Sequence, residues 1–514
     1  MRVNCRAIAG TLAMVVIFSS PASAKRAPDK VTVTVDTSAQ GAQINRNIYG
    51  QFSEHLGRGI YEGIWVGEDS NIPNIRGYRK DVVDALRKIR VPVLRWPGGC
   101  FADQYDWRDG IGPRDKRPVR INFNWGGVPE TNTFGTHEFL NFAELIGADA
   151  YISGNMGSLT PHDMAQWLEY MTSAEKSSLT EERRKNGRKE PWHVKFFGIG
   201  NEVWGCGGAM RAEYAADTTS RYSAFLSDPP GETFVRVASG PTGNLPGYES
   251  FTETFMRDSG GFQALSLHYY SRTSPSTRAT GFGEEKWAQL LRSALNIESI
   301  ISKVAAIMDK YDPDKKVALF VDEWGAWHKE ELGTNPGFAY QQSTLLDAEV
   351  AALTLNIFHR HTDRVKMANI AQMINVIQAM ILTRKEKMLL TPTYHVFDMY
   401  SPFQGAVPFD VRISAPEYQY GDEHLPSVDA SAGIGKDGKL YLALVNLDPV
   451  NSASVSTNLS GIAHGTILTG QAMDTHNTFE APNIIHPMPF ASNNVGGKVA
   501  FDLPAKSVAV VVVE

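Results

Sequence analysis

Two stretches of the sequence decide the fold: KFFGIGNEVWG at Lys195–Gly205 and ALFVDEWGAW at Ala318–Trp327. Each begins with a short apolar run of the length typical of a buried β-strand. Each run then ends at a glutamate that has a tryptophan close behind it. The fold must therefore explain why two buried strands each end on a carboxylate.

Short apolar runs alternate with helix-period segments over most of the chain. Asp81–Ile89 and Leu346–His361 are two of the helical segments. Eight strand–helix units in succession predict a (β/α)8 TIM barrel. A doubly wound open sheet is the alternative, but GIGNEVWG lacks its G-x-G-x-x-G spacing. The eight runs are Ile48–Glu54, Val91–Gly99, Ala148–Asn155, Val194–Glu202, Phe234–Gly240, Ala264–Tyr270, Val317–Glu323 and Met367–Val376.

The two flanks of this region have a different pattern. After about Thr391 the chain shows short strands separated by turn residues, which predicts a C-terminal β-sandwich. Val31–Asp36 alternates cleanly and is expected to join that sheet. The charged run at Glu181–Glu190 is expected to be a solvated loop. The predicted domains are a signal peptide at 1–24, an N-terminal strand segment at 25–47, the barrel at 48–390 and the sandwich at 391–514.

Length, charge and the N-terminus narrow the class of protein. A chain of 514 residues predicts two domains, and a net charge of -6 argues against a nucleic-acid partner. Arg2 and Arg6 precede an apolar run from Ala7 to Phe18, and the stretch ends in Ala22-Ser23-Ala24, which is typical of a cleaved secretory signal. A membrane anchor is the alternative, but the run is too short to span a bilayer. We therefore expect export to a periplasm or the exterior, with no membrane attachment after cleavage.

The predicted barrel explains why two buried strands end on carboxylates. Glu202 ends the fourth predicted strand and Glu323 the seventh, and TIM-barrel active sites lie at the C-terminal ends of the strands. Two carboxylates facing across a cleft suit glycoside hydrolysis, in which one is a proton donor and the other is ionised. Tryptophans beside them, at 204, 324 and 327, are candidates for raising one carboxyl pKa. A rim salt bridge is the alternative for either glutamate alone, but the matching contexts favour catalysis.

Four motifs together resemble glycoside hydrolase family 51, whose members are mostly α-L-arabinofuranosidases. The resemblance runs from about Val31 to Glu514, and it implies Glu202 as acid/base and Glu323 as nucleophile of a retaining reaction. It also implies arabinan, arabinoxylan or their oligosaccharides as substrates, no cofactor or metal, and a homo-oligomer as one arrangement found in the family. The motifs are QFSEHLGRGIYEGIW (51–65), RWPGGCFADQYDWRDGIGP (95–113), GIGNEVWG (198–205) and VDEWGAW (321–327).

The resemblance assigns further site residues. It implies that Asn201 binds the sugar 2-hydroxyl, that Glu54 binds arabinose hydroxyls, that Tyr270 lies near the nucleophile and that Gln372 contacts the furanose. Each has a simpler alternative. Asn201 can be a turn residue, Glu54 a buried charge paired with Arg95, and Tyr270 and Gln372 packing residues.

Cys100 stands where many family members have a sugar-contacting asparagine, so a side-chain contact there is in doubt while its backbone N–H remains a candidate. Cys5 would leave with the signal, so Cys206 is the remaining disulfide partner. Free thiols are the favoured expectation, because Cys100 should point into the pocket. No Cys/His cluster has zinc-site spacing, and His268 is expected to orient a carboxylate rather than bind a metal.

Two rival functions stay open at this point. An endo-β-glucanase or β-xylosidase would use the same catalytic pair on another sugar. A non-catalytic carbohydrate-binding protein on a barrel scaffold would be expected to lack one glutamate, and both are present.

Overall fold

The computed structural model describes residues 28–514, so the predicted signal peptide lies outside the described residues. Eight parallel strands form a closed barrel in which each strand pairs with the next in chain order and the eighth pairs with the first. This confirms the predicted (β/α)8 barrel. Barrel strands one to eight are Gly50–Phe52, Val93–Trp96, Asp149–Gly154, Val194–Ile199, Val235–Ala238, Ala264–Ser271, Ala318–Ala326 and Val365–Ile370.

Helices follow the barrel strands and shield the barrel from water. One helix follows each strand, except that two follow the third. The helices of the described chain are α1 (Lys80–Lys88), α2 (Thr136–Ile146), α3 (Pro161–Thr172), α4 (Ser178–Lys185), α5 (Ala212–Ser223), α6 (Tyr248–Asp258), α7 (Glu284–Tyr311), α8 (Leu345–Arg360) and α9 (Pro392–Met399).

The barrel interior is packed with side chains below the strand ends. Strands two to eight each contribute one side chain to a single buried cluster. This layer closes the barrel from within, so a ligand can enter only at the mouth. The members are Val93, Tyr151, Phe196, Val237, Ala264, Phe320 and Met367.

A ten-stranded sheet forms the second domain. Val407–Ser414 pairs with two different neighbours along its length, so it connects the two halves of the sheet. Side chains from both halves, among them Phe501 and Leu442, share one buried core, which makes the domain a sandwich. In spatial order the strands are Met488–Ala491, Ala463–Thr469, Ser507–Val513, Leu440–Asn446, Val428–Ile434, Val407–Ser414, Asp29–Gln40, Ala453–Ser460, Lys498–Leu503 and Asn493–Val495.

The strand Asp29–Gln40, here called the leading strand, belongs to this sheet although it precedes the barrel. It pairs antiparallel with Val407–Ser414 and parallel with Ala453–Ser460. Val31, Val33 and Val35 are buried in the sandwich core while the residues between them are exposed. The alternation seen in the sequence therefore marks the two faces of this strand.

Helix α8 joins the two domains. All of its residues except the last are buried, because the barrel covers one side and the sandwich the other. Asn356 on this helix donates a hydrogen bond to Asp429 of the sandwich at 2.9 Å. Within residues 28–514, no helix is long and apolar enough to cross a membrane.

The remaining elements are short and lie in the loops. The described part of the chain has four two-stranded hairpins, which are Asn74–Ile75 with Tyr78–Arg79, Arg120–Asn122 with Val128–Glu130, Ile381–Arg384 with Lys387–Leu390, and Glu417–Tyr420 with Glu423–Pro426. Single 3-10 turns occupy Arg46–Tyr49, Ala102–Gln104, Trp107–Gly110, Arg114–Lys116, Pro336–Phe338 and Ser401–Phe403.

Candidate active site

A cavity of about 280 Å³ opens at the C-terminal ends of the barrel strands. Its volume lies just below the range of roughly 300–1,000 Å³ found for drug-sized ligands. Asn201 is the only residue among the seven predicted site residues that does not line it. The six that do are Glu54, Cys100, Glu202, Tyr270, Glu323 and Gln372.

Glu323 lies in barrel strand seven, and its carboxylate is held from two sides. Arg95 of strand two donates a hydrogen bond from Nη1 to Oε1 at 2.7 Å. The hydroxyl of Tyr270 on strand six donates to Oε2, also at 2.7 Å. Two donors on one carboxylate fix its rotamer, so its oxygens point at the cavity in one orientation.

Trp324, the next residue, faces the opposite way. Its ring contacts Phe358 on α8 and Phe397 on α9, outside the barrel. Successive side chains of a strand point to opposite faces, so Trp324 cannot shield the carboxylate beside it. Trp324 is therefore wrong as a candidate for raising a carboxyl pKa, whereas Trp204 and Trp327 do line the cavity.

Glu202 follows strand four in a left-handed backbone conformation, with φ of 41°. Few non-glycine residues adopt this conformation, and such residues are often found at functional sites. The turn is held by Asp103, whose carboxylate accepts hydrogen bonds from the backbone N–H of Asn201, Met156 and Gly157 at 2.7–2.8 Å. Asp103 thus fixes the loop that presents Glu202 to the cavity.

His268 connects the two glutamates. Its Nδ1 lies 2.9 Å from Oε1 of Glu202 and 3.4 Å from Oε2 of Glu323, and its Nε2 lies 3.3 Å from Oδ1 of Asp322. Burial alone would lower the pKa of His268, but these three carboxylates raise it to about 10. The imidazole is therefore a cation at neutral pH and holds the three carboxylates together.

The raised pKa of His268 predicts a pH-dependent stability. Because the folded pKa lies above the ordinary value of 6.5, the stabilisation is complete below pH 6.5 and is lost as the pH rises to about 10. We expect His268→Gln to unfold at a lower temperature than the wild type at pH 6.5, with the difference shrinking toward pH 10. Thermal unfolding followed by circular dichroism measures this. A difference that stays constant across the range would contradict the assignment.

Glu54 follows strand one and is buried in the cavity wall. It accepts hydrogen bonds from the backbone N–H of Phe101 at 3.0 Å, Nε1 of Trp125 at 2.8 Å and Nε2 of Gln372 at 3.0 Å. Burial and the charge of Glu323 raise the pKa of Glu54 to about 7, and the three donors oppose that rise.

The alternative pairing of Glu54 with Arg95 is not the arrangement found. The guanidinium of Arg95 contacts Glu323, Asp322 and Oδ1 of Asn201 instead. Since Oδ1 of Asn201 is occupied, its Nδ2 is left free. Among the described residues nothing accepts a hydrogen bond from this buried Nδ2.

Cys100 and Cys206 form a disulfide with a Cα–Cα distance of 5.4 Å. The expectation of free thiols is therefore wrong. It assumed that a side chain pointing into the pocket would stay unpaired, but Cys100 lines the cavity and the loop that follows strand four brings Cys206 to it there. The bond places Cys206 Sγ 3.6 Å from Oε2 of Glu202. A disulfide carries no S–H, so this is a packing contact beside the carboxylate rather than a hydrogen bond.

Sequence reasoning missed Trp125, Asp103 and the cavity-lining Arg272 and Asn244. Trp125 lies in the turn of the hairpin Arg120–Asn122 with Val128–Glu130. The available signal was the long segment between strand two and α2, because long loops at the catalytic face are often functional.

Comparison with known proteins shows which families and relatives the chain resembles. The chain matches the family alpha-L-arabinofuranosidase 1 domain over residues 85–228 and the family alpha-L-arabinofuranosidase C-terminal domain over residues 322–507. A Bacteroides ovatus protein named intracellular exo-alpha-L-arabinofuranosidase is 47% identical, over 94% of this chain and 95% of its own. Alpha-L-arabinofuranosidase C of Emericella nidulans is 32% identical, over 81% and 84%.

The Bacteroides relative contradicts the predicted export, because its name places it inside the cell. The prediction rested only on the composition of residues 1–24, which combine two arginines, an apolar run and Ala-Ser-Ala. The expectation of a periplasmic or extracellular protein is therefore wrong.

Solved structures agree with the family matches. The GH51 arabinofuranosidase from Xanthomonas axonopodis pv. citri superposes with a TM-score of 0.93 at 50% identity, over 95% of this chain and 100% of that one. The arabinose complex of the Thermotoga maritima α-L-arabinofuranosidase gives 0.82 at 30% identity, over 94% and 100%. The chain thus belongs to glycoside hydrolase family 51, the family of these α-L-arabinofuranosidases.

Proposed function

We propose that the protein is a retaining, exo-acting α-L-arabinofuranosidase that releases terminal α-L-arabinofuranosyl residues from arabinan, arabinoxylan and their oligosaccharides. One observation carries the stereochemistry. An oxygen of Glu202, a ring nitrogen of His268 and an oxygen of Glu323 all lie within 4.8 Å of one another. Retaining glycosidases hold their carboxyl groups about 5–5.5 Å apart, whereas inverting enzymes leave about 6.5–9.5 Å for a water molecule.

The proposed reaction has two displacements. Glu323 attacks the anomeric carbon while Glu202 donates a proton to the departing glycosidic oxygen, which forms a covalent glycosyl-enzyme. Glu202 then removes a proton from water, and the water displaces Glu323 with a second inversion. Arg95 and Tyr270 hold the nucleophile during both steps, and His268 keeps the two carboxylates at the required separation.

Exo action is supported by the small volume of the cavity, about 280 Å³, and by the packed strand layer below it. We infer that the cavity takes one terminal pentose. We assign sugar binding to Glu54, Gln372 and the free Nδ2 of Asn201. The side chain of Cys100 is tied into the disulfide, so it would contact the sugar through its backbone N–H.

A substitution tests the role of Glu54. Glu54→Gln keeps the shape but removes the charge that accepts three hydrogen bonds, so we expect kcat/KM to fall by roughly one to two orders of magnitude. The control is Glu349→Gln, which makes the same change at a buried carboxylate of α8 that does not line the cavity. If the inhibition constant Ki for free arabinose is unchanged in Glu54→Gln, Glu54 does not bind the sugar.

The function itself is tested with a substrate panel. We expect the protein to hydrolyse aryl α-L-arabinofuranoside, branched arabinan and arabinoxylan, and to release arabinose as the sole early product. Faster hydrolysis of aryl β-xyloside or of a soluble β-glucan would favour the rival activities. Binding of arabino-oligosaccharides without any turnover would favour a carbohydrate-binding protein.

A further inference from the structure

The disulfide lies against the acid/base residue and is open to solvent. The sulfurs of Cys100 and Cys206 and an oxygen of Glu202 all lie within 4.8 Å of one another. Cys206 is exposed and Cys100 is partly exposed, so a small thiol can reach the bond from the cavity mouth. Neither cysteine has a part in the two displacements described above.

We propose that reduction of this disulfide turns the cavity wall into an inhibitory binding site for a thiophilic divalent cation such as Zn²⁺, held by Cys100, Cys206 and Glu202. Two thiolates, one carboxylate and a water molecule form a donor set that zinc accepts in tetrahedral sites. The intact disulfide is then the state in which this metal site cannot form.

The chemistry balances with a reductant of a common class. A dithiol attacks one sulfur of the bond, forms a mixed disulfide and leaves as its own cyclic disulfide, so that two electrons and two protons pass to Cys100 and Cys206. Zn²⁺ then replaces the two thiol protons, which go to solvent. The Bacteroides ovatus relative is named intracellular, and cell interiors keep most thiols reduced.

The geometry allows such an ion without a change of fold. Zinc–sulfur bonds of about 2.3 Å place two thiolates on one ion about 3.8 Å apart. The Cα–Cα distance of 5.4 Å accommodates this by rotation of the side chains alone. The loop holding Cys100 is tied by the hydrogen bond from Asn124 Nδ2 to the Cys100 carbonyl at 2.9 Å, so the sulfurs stay close after reduction.

Binding at this site would stop the reaction at a defined step. A metal on Oε2 of Glu202 takes up a lone pair of the carboxylate and keeps it from carrying the proton for the leaving oxygen. Inhibition by metal would therefore depend on the redox state of the protein. A second cluster, Glu202 with His268 and Glu323, is the competing location for a cation, and it does not depend on the disulfide.

Cobalt spectroscopy and kinetics test the proposal together. The full-length protein is reduced with a phosphine, desalted without air, and titrated with Co²⁺, whose bonds to thiolates give an intense charge-transfer absorbance. Activity is measured in parallel with and without micromolar Zn²⁺. We expect one equivalent of cobalt with thiolate absorbance in the reduced protein, and at least roughly tenfold inhibition by zinc. The oxidised protein should show neither effect.

Cys206→Ser is the matched variant, since it removes one ligand and the disulfide together. Each variant is compared with itself, with and without zinc, and we expect Cys206→Ser to lose most of the inhibition and the two-thiolate spectrum. Glu202→Gln, read by cobalt absorbance alone, should bind more weakly than the reduced wild type. The cobalt spectrum does not require turnover, so it separates this proposal from the proposed function.

Four results would overturn the proposal. They are no thiolate absorbance in the reduced protein, full zinc inhibition of Cys206→Ser, equal inhibition of the oxidised protein, or loss of the folded circular dichroism signal on reduction. The second and third would place the metal on Glu202, His268 and Glu323 instead.

Discussion

Glu323→Ala is expected to lose turnover by roughly four orders of magnitude or more, because it removes the carboxylate that we assign to forming the covalent bond to the anomeric carbon. The folded state should persist. Arg95 loses one partner in this variant but keeps Asp322 and Asn201 nearby. Kinetics on an aryl arabinofuranoside and circular dichroism of the same sample measure both expectations.

Added azide distinguishes the loss of a nucleophile from general damage. Alanine leaves space on the face that the carboxylate occupied, so azide can attack there and give the glycosyl azide of inverted configuration. Glu54→Ala is the matched control, since it removes a carboxylate from the same cavity but should gain nothing from azide. Near-wild-type turnover of Glu323→Ala would end the assignment, and so would an azide product of retained configuration.

Glu202→Gln is expected to have an effect that depends on the leaving group. Glutamine cannot donate a proton, so natural oligosaccharides should be hydrolysed roughly two to four orders of magnitude more slowly. Aryl substrates with acidic phenols need little protonation, and their first step should be spared. Pre-steady-state release of the phenol, followed by slow turnover, is the measurement.

The pH profile gives an independent check on Glu202. In the wild type the alkaline limb should follow the proton that the acid catalyst must carry in the first step. That limb should disappear in Glu202→Gln for the first step on an aryl substrate. An unchanged alkaline limb, or equal losses on good and poor leaving groups, would contradict the role.

The barrel could be predicted because its strands are buried on both faces. Each then appears in the sequence as a continuous apolar run, and all eight runs overlap the observed strands. The segment at 181–190 was predicted as a loop, yet α4 extends to Lys185. Its Arg183 is buried and donates to the Tyr170 carbonyl. Composition shows the charge, but only tertiary contact shows that the charge is buried.

The active site, like the fold, could be predicted from the sequence only in part. The two carboxylates could be predicted, because strand ends in a barrel share one edge. The partner of Arg95 could not, since both Glu54 and Glu323 lie at that edge and only the exact placement of strands one, two and seven selects Glu323. The disulfide likewise depends on how far two loops extend over the mouth, and loop paths leave no periodic pattern in a sequence.

The leading strand has a consequence for how the molecule is assembled. The backbone N–H of Val35 in this strand donates to the side chain of Asn458, 423 positions later in the sequence. The strands that pair with the leading strand are therefore synthesised only after the whole barrel. The barrel is in effect an insertion within the sandwich. During synthesis the strand must wait with both edges unpaired, and such long-range pairing is slow and prone to aggregation. The C-terminal strands therefore close the molecule, and the two domains reach their native state as one unit.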